Sequence, residues 1–423
     1  MRTLRLFSRD ARLCLISQAW LGFCHFGVYA VLLNLYLLRL GYDLKFVSLV
    51  NAAGQLSFVV SSLSSGLIGR RWGNRRMMIL GAGLSLVGYG SFPLIRFNQV
   101  AFQSIWLLMS YTLAWSGIAV IIVNMVPYLM DVTNLEERNY VFAMVGVLLA
   151  LSGFVGNLVA GILPILLARA LGLTLDQPAP YRFPLLLGAI AVIPCVLALF
   201  LTRDVDSDRR GEVKLTGGPD TADPPPIELI TVMMLVILLV RTGDGAARTF
   251  FNVYLDTALH VSTALIATLS AVVQLLAVPA ALLAPLLIAR LGLGRAIVLG
   301  SLGIAFSLLP LALVPRWEAV GLGLAGVIVV ASITVPAFTV FHQEIMPLRW
   351  RTTMSGSATL ARGLGWSSIA LSGGYIITNL GYRSFFLTGA GLVAAGSLLF
   401  WAYFRVPRGE LAQVTDSDTL ARN

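Results

Sequence analysis

The spacing of charge along this chain limits its fold more than any other feature. Asp, Glu, Lys and Arg are absent from residues 13–38, 46–69, 77–95, 97–130, 139–168, 183–202, 261–289, 296–315, 319–343, 363–382 and 384–404. About 20 apolar residues in a helix cross the hydrocarbon core of a bilayer, and each run is about that long or longer. A twelfth span covers roughly residues 227–256 and is interrupted by Arg241, Asp244 and Arg248, while the eleventh helix starts near Thr352 and contains Arg362. Backbone polar groups inside a bilayer must be satisfied within their own segment, which favours helices. The expected fold is an all-α polytopic membrane protein with twelve transmembrane helices. Composition agrees, since 57 % hydrophobic and 12 % charged residues cannot cover a water-soluble surface.

The net charge of +10 raises the question of nucleic acid, but 28 of the 30 basic residues are Arg and they are scattered with no dense basic domain. They read better as topology signals, because basic loops resist translocation. With the N-terminus inside, 20 fall on the cytoplasmic side, 7 on the far side and 3 within helices. Both termini are therefore expected in the cytoplasm and the protein in the cytoplasmic (inner) membrane. The first apolar stretch has no small-residue cleavage site and reads as a retained helix. Cys14, Cys24 and Cys195 fall inside helices without metal-ligand spacing and imply neither a disulfide framework nor a metal.

Residues 203–226 are polar and rich in Asp, Gly and Pro, and such a composition predicts a disordered linker. The expected organisation is a six-helix bundle over 1–202, the cytoplasmic linker over 203–226, a second bundle over 227–405 and a cytoplasmic tail over 406–423. The two bundles read as copies. A shift of 218 lays Asn34 and Tyr36 on Asn252 and Tyr254, and a shift of 219 lays Arg71, Gly73, Arg76 and Gly81 on Arg290, Gly292, Arg295 and Gly300. With the second shift Gly66 meets Pro285, read as a helix-ending position, and at a shift of 213 Asp131 and Arg138 meet Glu344 and Arg351. Parallel six-helix repeats with a midplane site between them are a transporter architecture.

These residues resemble the major facilitator superfamily. Gly66-Leu-Ile-Gly-Arg70-Arg71-Trp-Gly73-Asn-Arg75-Arg76 is similar to that family's G-x-x-x-D-R-x-G-R-[KR] loop, Pro285 to Gly292 to its weaker second copy, and Asp131 to Arg138 to its acid-x6-Arg loop. The resemblance implies a two-bundle carrier that rocks around a central site, and it makes these segments, with Glu137, the cytoplasmic gate. Where the family has an acid, this chain has Arg70, and Ala289 in the second copy. A cation at a helix N-terminus opposes the dipole. The expectation is therefore either a sign-reversed latch, with Arg70 or Arg71 facing Glu344 or Glu137, or a simple topology charge.

Charges inside the bilayer are costly and usually functional. Arg241, Asp244 and Arg248, spaced three and four apart, share one helix face, and Arg362 lies about eleven residues into its helix. Either Asp244 merely neutralises them to fix the seventh helix, or three arginines against one aspartate leave a cationic cavity. Such a cavity suits a carboxylate or phosphate. His25 and Asp244 are the candidates for proton coupling, and Asn34, Asn252 and Gln274 are further cavity candidates. Gln18, Asn51, Gln55, Asn124 and Asn157, with Trp20, Trp115 and Trp366, either line the cavity or serve packing. Gly153 to Gly161 in the fifth helix faintly resembles the G-P-x-x-G-G pattern of drug exporters.

The sequence thus predicts a secondary active transporter of a small organic solute, proton-coupled, leaning towards efflux by antiport. Uptake or exchange of an organic anion and a non-transporting membrane sensor are the alternatives. With no Walker-type phosphate loop and no cluster of metal ligands, neither an enzyme nor a cofactor is expected. The partners are the small-molecule substrate, the lipid bilayer and protons, with no nucleic acid, and the protein is expected to work as a monomer.

Overall fold

The computed structural model describes residues 7–94, 100–204, 226–347 and 350–406, without the side chains of Leu67, Arg70, Val100, Leu135, Glu136, Arg138, Asn139 and Thr352. Most of the linker and all of the tail beyond Val406 therefore lie outside the described residues.

Among the described residues, eleven helices are long and apolar enough to cross a membrane. They are α1 (Arg9–Arg39), α2 (Leu44–Trp72), α3 (Asn74–Ser91), α4 (Val100–Val132), α5 (Leu135–Leu171), α6 (Ala179–Phe200), α7 (Ile227–Thr257), α8 (Thr263–Leu291), α9 (Leu293–Leu313), α10 (Trp317–Glu344) and a 54-residue run, Arg351–Phe404. At 1.5 Å per residue that last run would extend about 80 Å, more than twice the thickness of a bilayer core. It is broken at Gly381, whose φ of 80° and ψ of 171° are not helical, so it supplies two spans, α11 (351–380) and α12 (382–404). The twelve expected spans are thus present. An even number returns both chain ends to one side, called here the terminus face. There the Asp10 carboxylate accepts from the Arg203 backbone N–H, and the Tyr403 hydroxyl donates to Glu228.

The loop motif is almost entirely helix. α2 runs through Arg70 and Arg71 to Trp72, only Gly73 interrupts, and α3 starts at Asn74. Gly73 has φ 90° and ψ 136°, and its repeat partner Gly292 has φ 78° and ψ 154°. Side chains with a Cβ rarely adopt such φ values, so both copies need glycine for the same sharp turn. The reading of Gly66 and Pro285 as helix ends is corrected, because both sit inside their helices. A helix ends where the backbone leaves helical geometry, and here that happens seven residues later at glycine.

α1 is not α-helical throughout. Residues Phe23–Tyr29 form a π-helix, a wider turn often found at functional sites. It lies where α5 comes closest. A Cβ on Gly156 would fall 2.4 Å from the Phe23 carbonyl oxygen, and one on Gly27 would fall 2.5 Å from the Gly156 Cα. Farther along α5, Gly161 meets Ala264 and Ala267 of α8. The small residues from Gly153 to Gly161 therefore let α5 touch both α1 and α8, a packing role that is independent of transport direction.

Candidate functional site

Between the two sets of six helices lies a cavity of about 170 Å³. The π-helical segment of α1 places His25, Phe26 and Tyr29 on its wall, with Asn34 two turns beyond. α2 adds Asn51 and Gln55, α4 adds Tyr111 and Trp115, and α5 adds Asn157. The second half supplies Arg248, Thr249 and Asn252 from α7, Ser270 and Gln274 from α8, and Trp366 from α11.

On one wall, His25 Nδ1 lies 2.6 Å from the Tyr89 hydroxyl, and the Tyr29 hydroxyl donates to the Tyr89 carbonyl at 2.6 Å. The ring of Trp115 meets His25 edge to face with centroids 4.7 Å apart. The histidine is thus held by both a hydrogen bond and aromatic packing, yet it still reaches the cavity.

The opposite wall carries the charge. Asp244 is buried, with Arg248 Nε 2.7 Å from one carboxylate oxygen and Arg241 Nη1 4.0 Å from the other. The helical spacing does what the sequence implied, and one aspartate faces two arginines on the same side of α7. Arg241 is buried away from the cavity, whereas the Arg248 side chain is 33 % exposed and lines it. Nε of Arg248 is engaged by Asp244, and its Nη groups have no protein partner among the described residues. Arg362, expected in the bundle interior, is instead exposed. It lies one turn before Trp366 on α11, within electrostatic range of Arg241 and Asp244, and no ion pair holds it among the described residues. The reason is register: a residue four positions towards the terminus face from a cavity-lining one reaches its mouth, not its centre.

The cavity is closed on the side opposite the termini, the far face. Asn34 Nδ2 donates to the Thr249 carbonyl at 2.8 Å, and Asn252 Nδ2 donates to the Ala30 and Val31 carbonyls at 2.7 and 3.1 Å. These asparagines are repeat partners, so each binds the other's helix three or four residues before its counterpart. Beyond them, Arg39 grips both carboxylate oxygens of Asp256 at 2.7 and 2.9 Å, donates to the Leu175 carbonyl, and stacks over Tyr181. Tyr181 and Thr263 exchange a hydrogen bond at 3.1 Å. Among the described residues, these are the hydrogen bonds and ion pairs that join the two halves.

On the terminus face, the contacts of the motif residues among the described side chains stay within their own half. Arg75 donates to the Thr202 and Phe200 carbonyls at the end of α6, and Asp204 lies 3.8 Å from Arg75 and 3.7 Å from Arg76. Asn124 donates to Ser65 and lies under Gly69, so it packs the motif and does not line the cavity. Glu137 accepts from the Ser8 backbone N–H at 2.5 Å, and Arg351 donates to the Met346 carbonyl. Arg71, Asp131, Arg290 and Glu344 are exposed. The side chains of Arg70 and Arg138 lie outside the described residues. Gln18 is buried and Trp20 exposed, both off the cavity, and the three cysteines are buried and free. Sequence reasoning did not select Tyr29, Tyr89, Tyr111, Thr249 or Ser270. Tyr and Thr are common in any membrane helix, and Tyr29 lies in the π-helical turn, which no local sequence pattern announces.

In three dimensions the chain resembles several solved transporters. The inward-open form of the xylose transporter XylE from E. coli aligns with a TM-score of 0.72 at 12 % identity, covering 93 % of this chain and 95 % of that one. A POT family transporter in complex with 5-aminolevulinic acid aligns with a TM-score of 0.72 at 15 % identity, covering 93 % and 96 %. The nucleoside transporter NupG aligns with a TM-score of 0.68 at 13 % identity, covering 93 % and 100 %. At such identities the likeness is one of fold. None of the curated protein sequences matches the chain. The sequence pattern of the Major Facilitator Superfamily matches residues 14–370. With that match over most of its length, the same fold and a central cavity, this integral membrane protein belongs to the Major Facilitator Superfamily, whose members are secondary transporters of small molecules and not enzymes.

Proposed function

We propose that this transporter carries a small organic anion, bound in the central cavity by Arg248. The observation behind this reading is a guanidinium held by Asp244 at one nitrogen, on a residue that lines a space walled by aromatic and amide side chains. Arg binds carboxylates and phosphates through paired donors. Arg362 at the mouth adds attraction along the way in. Gln274, Asn51 and Gln55 offer hydrogen bonds to the rest of the solute.

In this reading the helices of 1–202 and of 227–405 form two bundles that rock about the cavity, joined by the linker at 203–226. The basic bias of the terminus-face loops supports a cytoplasmic position for that face and for the tail over 406–423, with the protein in a cell's inner membrane. With its far face clasped, the structure is then the inward-facing state. The latch between Arg70 or Arg71 and Glu344 or Glu137 belongs to the opposite state, in which the cytoplasmic ends meet. His25 carries the coupling proton, because it lines the cavity, while Asp244 positions Arg248. Direction remains independent of the α5 glycines, since helix packing accounts for them.

Uptake into proteoliposomes tests this reading. A panel of small carboxylates and phosphates and their neutral isosteres should yield transport of an anion that accumulates with an imposed pH gradient. His25→Gln should abolish accumulation and preserve downhill exchange. Transport confined to neutral or cationic solutes, or accumulation insensitive to the gradient, contradicts the assignment.

A further inference from the structure

A second recess lies on the terminus face, away from the central cavity. It is a groove of about 410 Å³ where the first turn of α9 meets the last turns of α10 and α12, and Arg295, Leu299, Phe341, Phe400, Trp401 and Arg405 line it. Its floor is rigid. Phe341, Phe400 and Phe404 pack on one another with ring centroids 4.9–5.0 Å apart. Its outer edge is apolar and open, with Leu299 55 % and Trp401 52 % exposed. Arg405, one residue past the end of α12, sits with its guanidinium 5.8 Å from the centre of the Trp401 ring.

The internal repeat shows what is unusual about these two arginines. The counterpart of Arg295 is Arg76, and the segment that follows the last helix of the first half carries Asp204, which faces both Arg75 and Arg76. The segment that follows α12 instead brings Arg405 into the groove that Arg295 lines. Among the described residues no acid neutralises either Arg295 or Arg405. Two cations with no acid partner among the described residues, at the end of an apolar groove where two membrane-spanning helices end and beside an exposed tryptophan, match the chemistry of an anionic lipid. Aromatic rings of this kind sit at headgroup depth, and basic residues there attract anionic headgroups.

We propose that this groove binds an anionic phospholipid, its phosphate between Arg295 and Arg405 and an acyl chain along Leu299, Phe400 and Trp401. The groove is built by helices of the second half alone, so lipid binding there does not depend on what the central cavity carries.

Native mass spectrometry of the full-length protein in detergent tests the proposal, with phosphatidylglycerol or phosphatidylcholine of identical acyl chains titrated in. The wild type should bind phosphatidylglycerol at least tenfold more tightly. A surface arginine contributes roughly fivefold to such binding, so the double variant Arg295→Gln with Arg405→Gln should lose about 25-fold for phosphatidylglycerol and little for phosphatidylcholine. Both side chains lie at the surface, and the variant Arg295→Lys with Arg405→Lys should retain the preference. Equal binding of the two lipids by the wild type, or an undiminished preference in the double Gln variant, would overturn the proposal. Trp401→Ala should weaken both lipids alike, and no change in either would remove the acyl chain from this groove.

Discussion

At Asn34 and Asn252, the first and seventh helices do the same thing: each donates a side-chain amide to the other's backbone and so closes the far face. One to three turns deeper they part. Under the repeat shift of 218, the positions of Arg241, Asp244 and Arg248 are Phe23, Phe26 and Ala30 in the first helix, and that of His25 is Gly243 in the seventh. The difference has a physical basis. Rocking two similar bundles works with contacts that are alike on both sides. A site for an asymmetric solute needs walls of different chemistry, and here a histidine and aromatic wall faces a cationic one. The asparagine clasp has retained the repeat and the cavity walls have not.

The outermost contact between the halves departs from that symmetry, and breaking it should have the largest effect. Arg39 and Asp256 correspond to Thr257 and Leu38 in the other copy. Removing one member of a buried pair costs about 3–5 kcal/mol. Arg39 is 20 % exposed, so solvent screening lowers the figure to roughly 2–3 kcal/mol. Asp256→Ala should therefore shift the balance from the far-closed state by about 30- to 150-fold. Spin labels at positions 42 and 261 would read this as a longer distance, and an unchanged distribution would deny the pair its gating role.

Close packing comes next. Gly156→Val puts a side chain where the Phe23 carbonyl and Gly27 Cα stand, and overpacking costs about 1–3 kcal/mol. Thermal unfolding in detergent should shift down by several degrees, with loss of the π-helical turn that presents His25. Wild-type stability would mean that α1 and α5 are farther apart than described.

The smallest effects sharpen the symmetric part. Asn34→Ala and Asn252→Ala should each weaken far-face closure by about 1 kcal/mol, or about fivefold. Because the bonds are reciprocal, the two variants should resemble each other in the same spin-label measurement. A large effect from one and none from the other would show that the clasp is not shared.

Much of the fold was legible in the sequence because bilayer physics leaves few options: charge-free runs of 20 residues must be helices, and glycines at 73 and 292 mark the same turn twice. The axial spacing that puts Asp244 between Arg241 and Arg248 was readable for the same reason, since helix periodicity is fixed. Depth and rotation were harder. Arg362 is near the middle of its helix in sequence but one turn nearer the terminus face than Trp366, a depth set by how α11 packs. The role of Asn34 and Asn252 as a clasp depended on the distance between α1 and α7, which no local pattern encodes. Likewise, no local pattern shows that Arg75 of the motif binds the carbonyls that end α6. That partner lies more than a hundred residues away.

The central claim is that Arg248 gives the cavity its preference for an anion. Titration of the transported anion into purified wild type and Arg248→Gln, by calorimetry in the same detergent, tests it most directly. Charge-assisted hydrogen bonds contribute about 1.5–3 kcal/mol, so the variant should bind the anion at least tenfold more weakly and a neutral isostere with unchanged affinity. An equal Kd for the anion in both proteins would contradict the account.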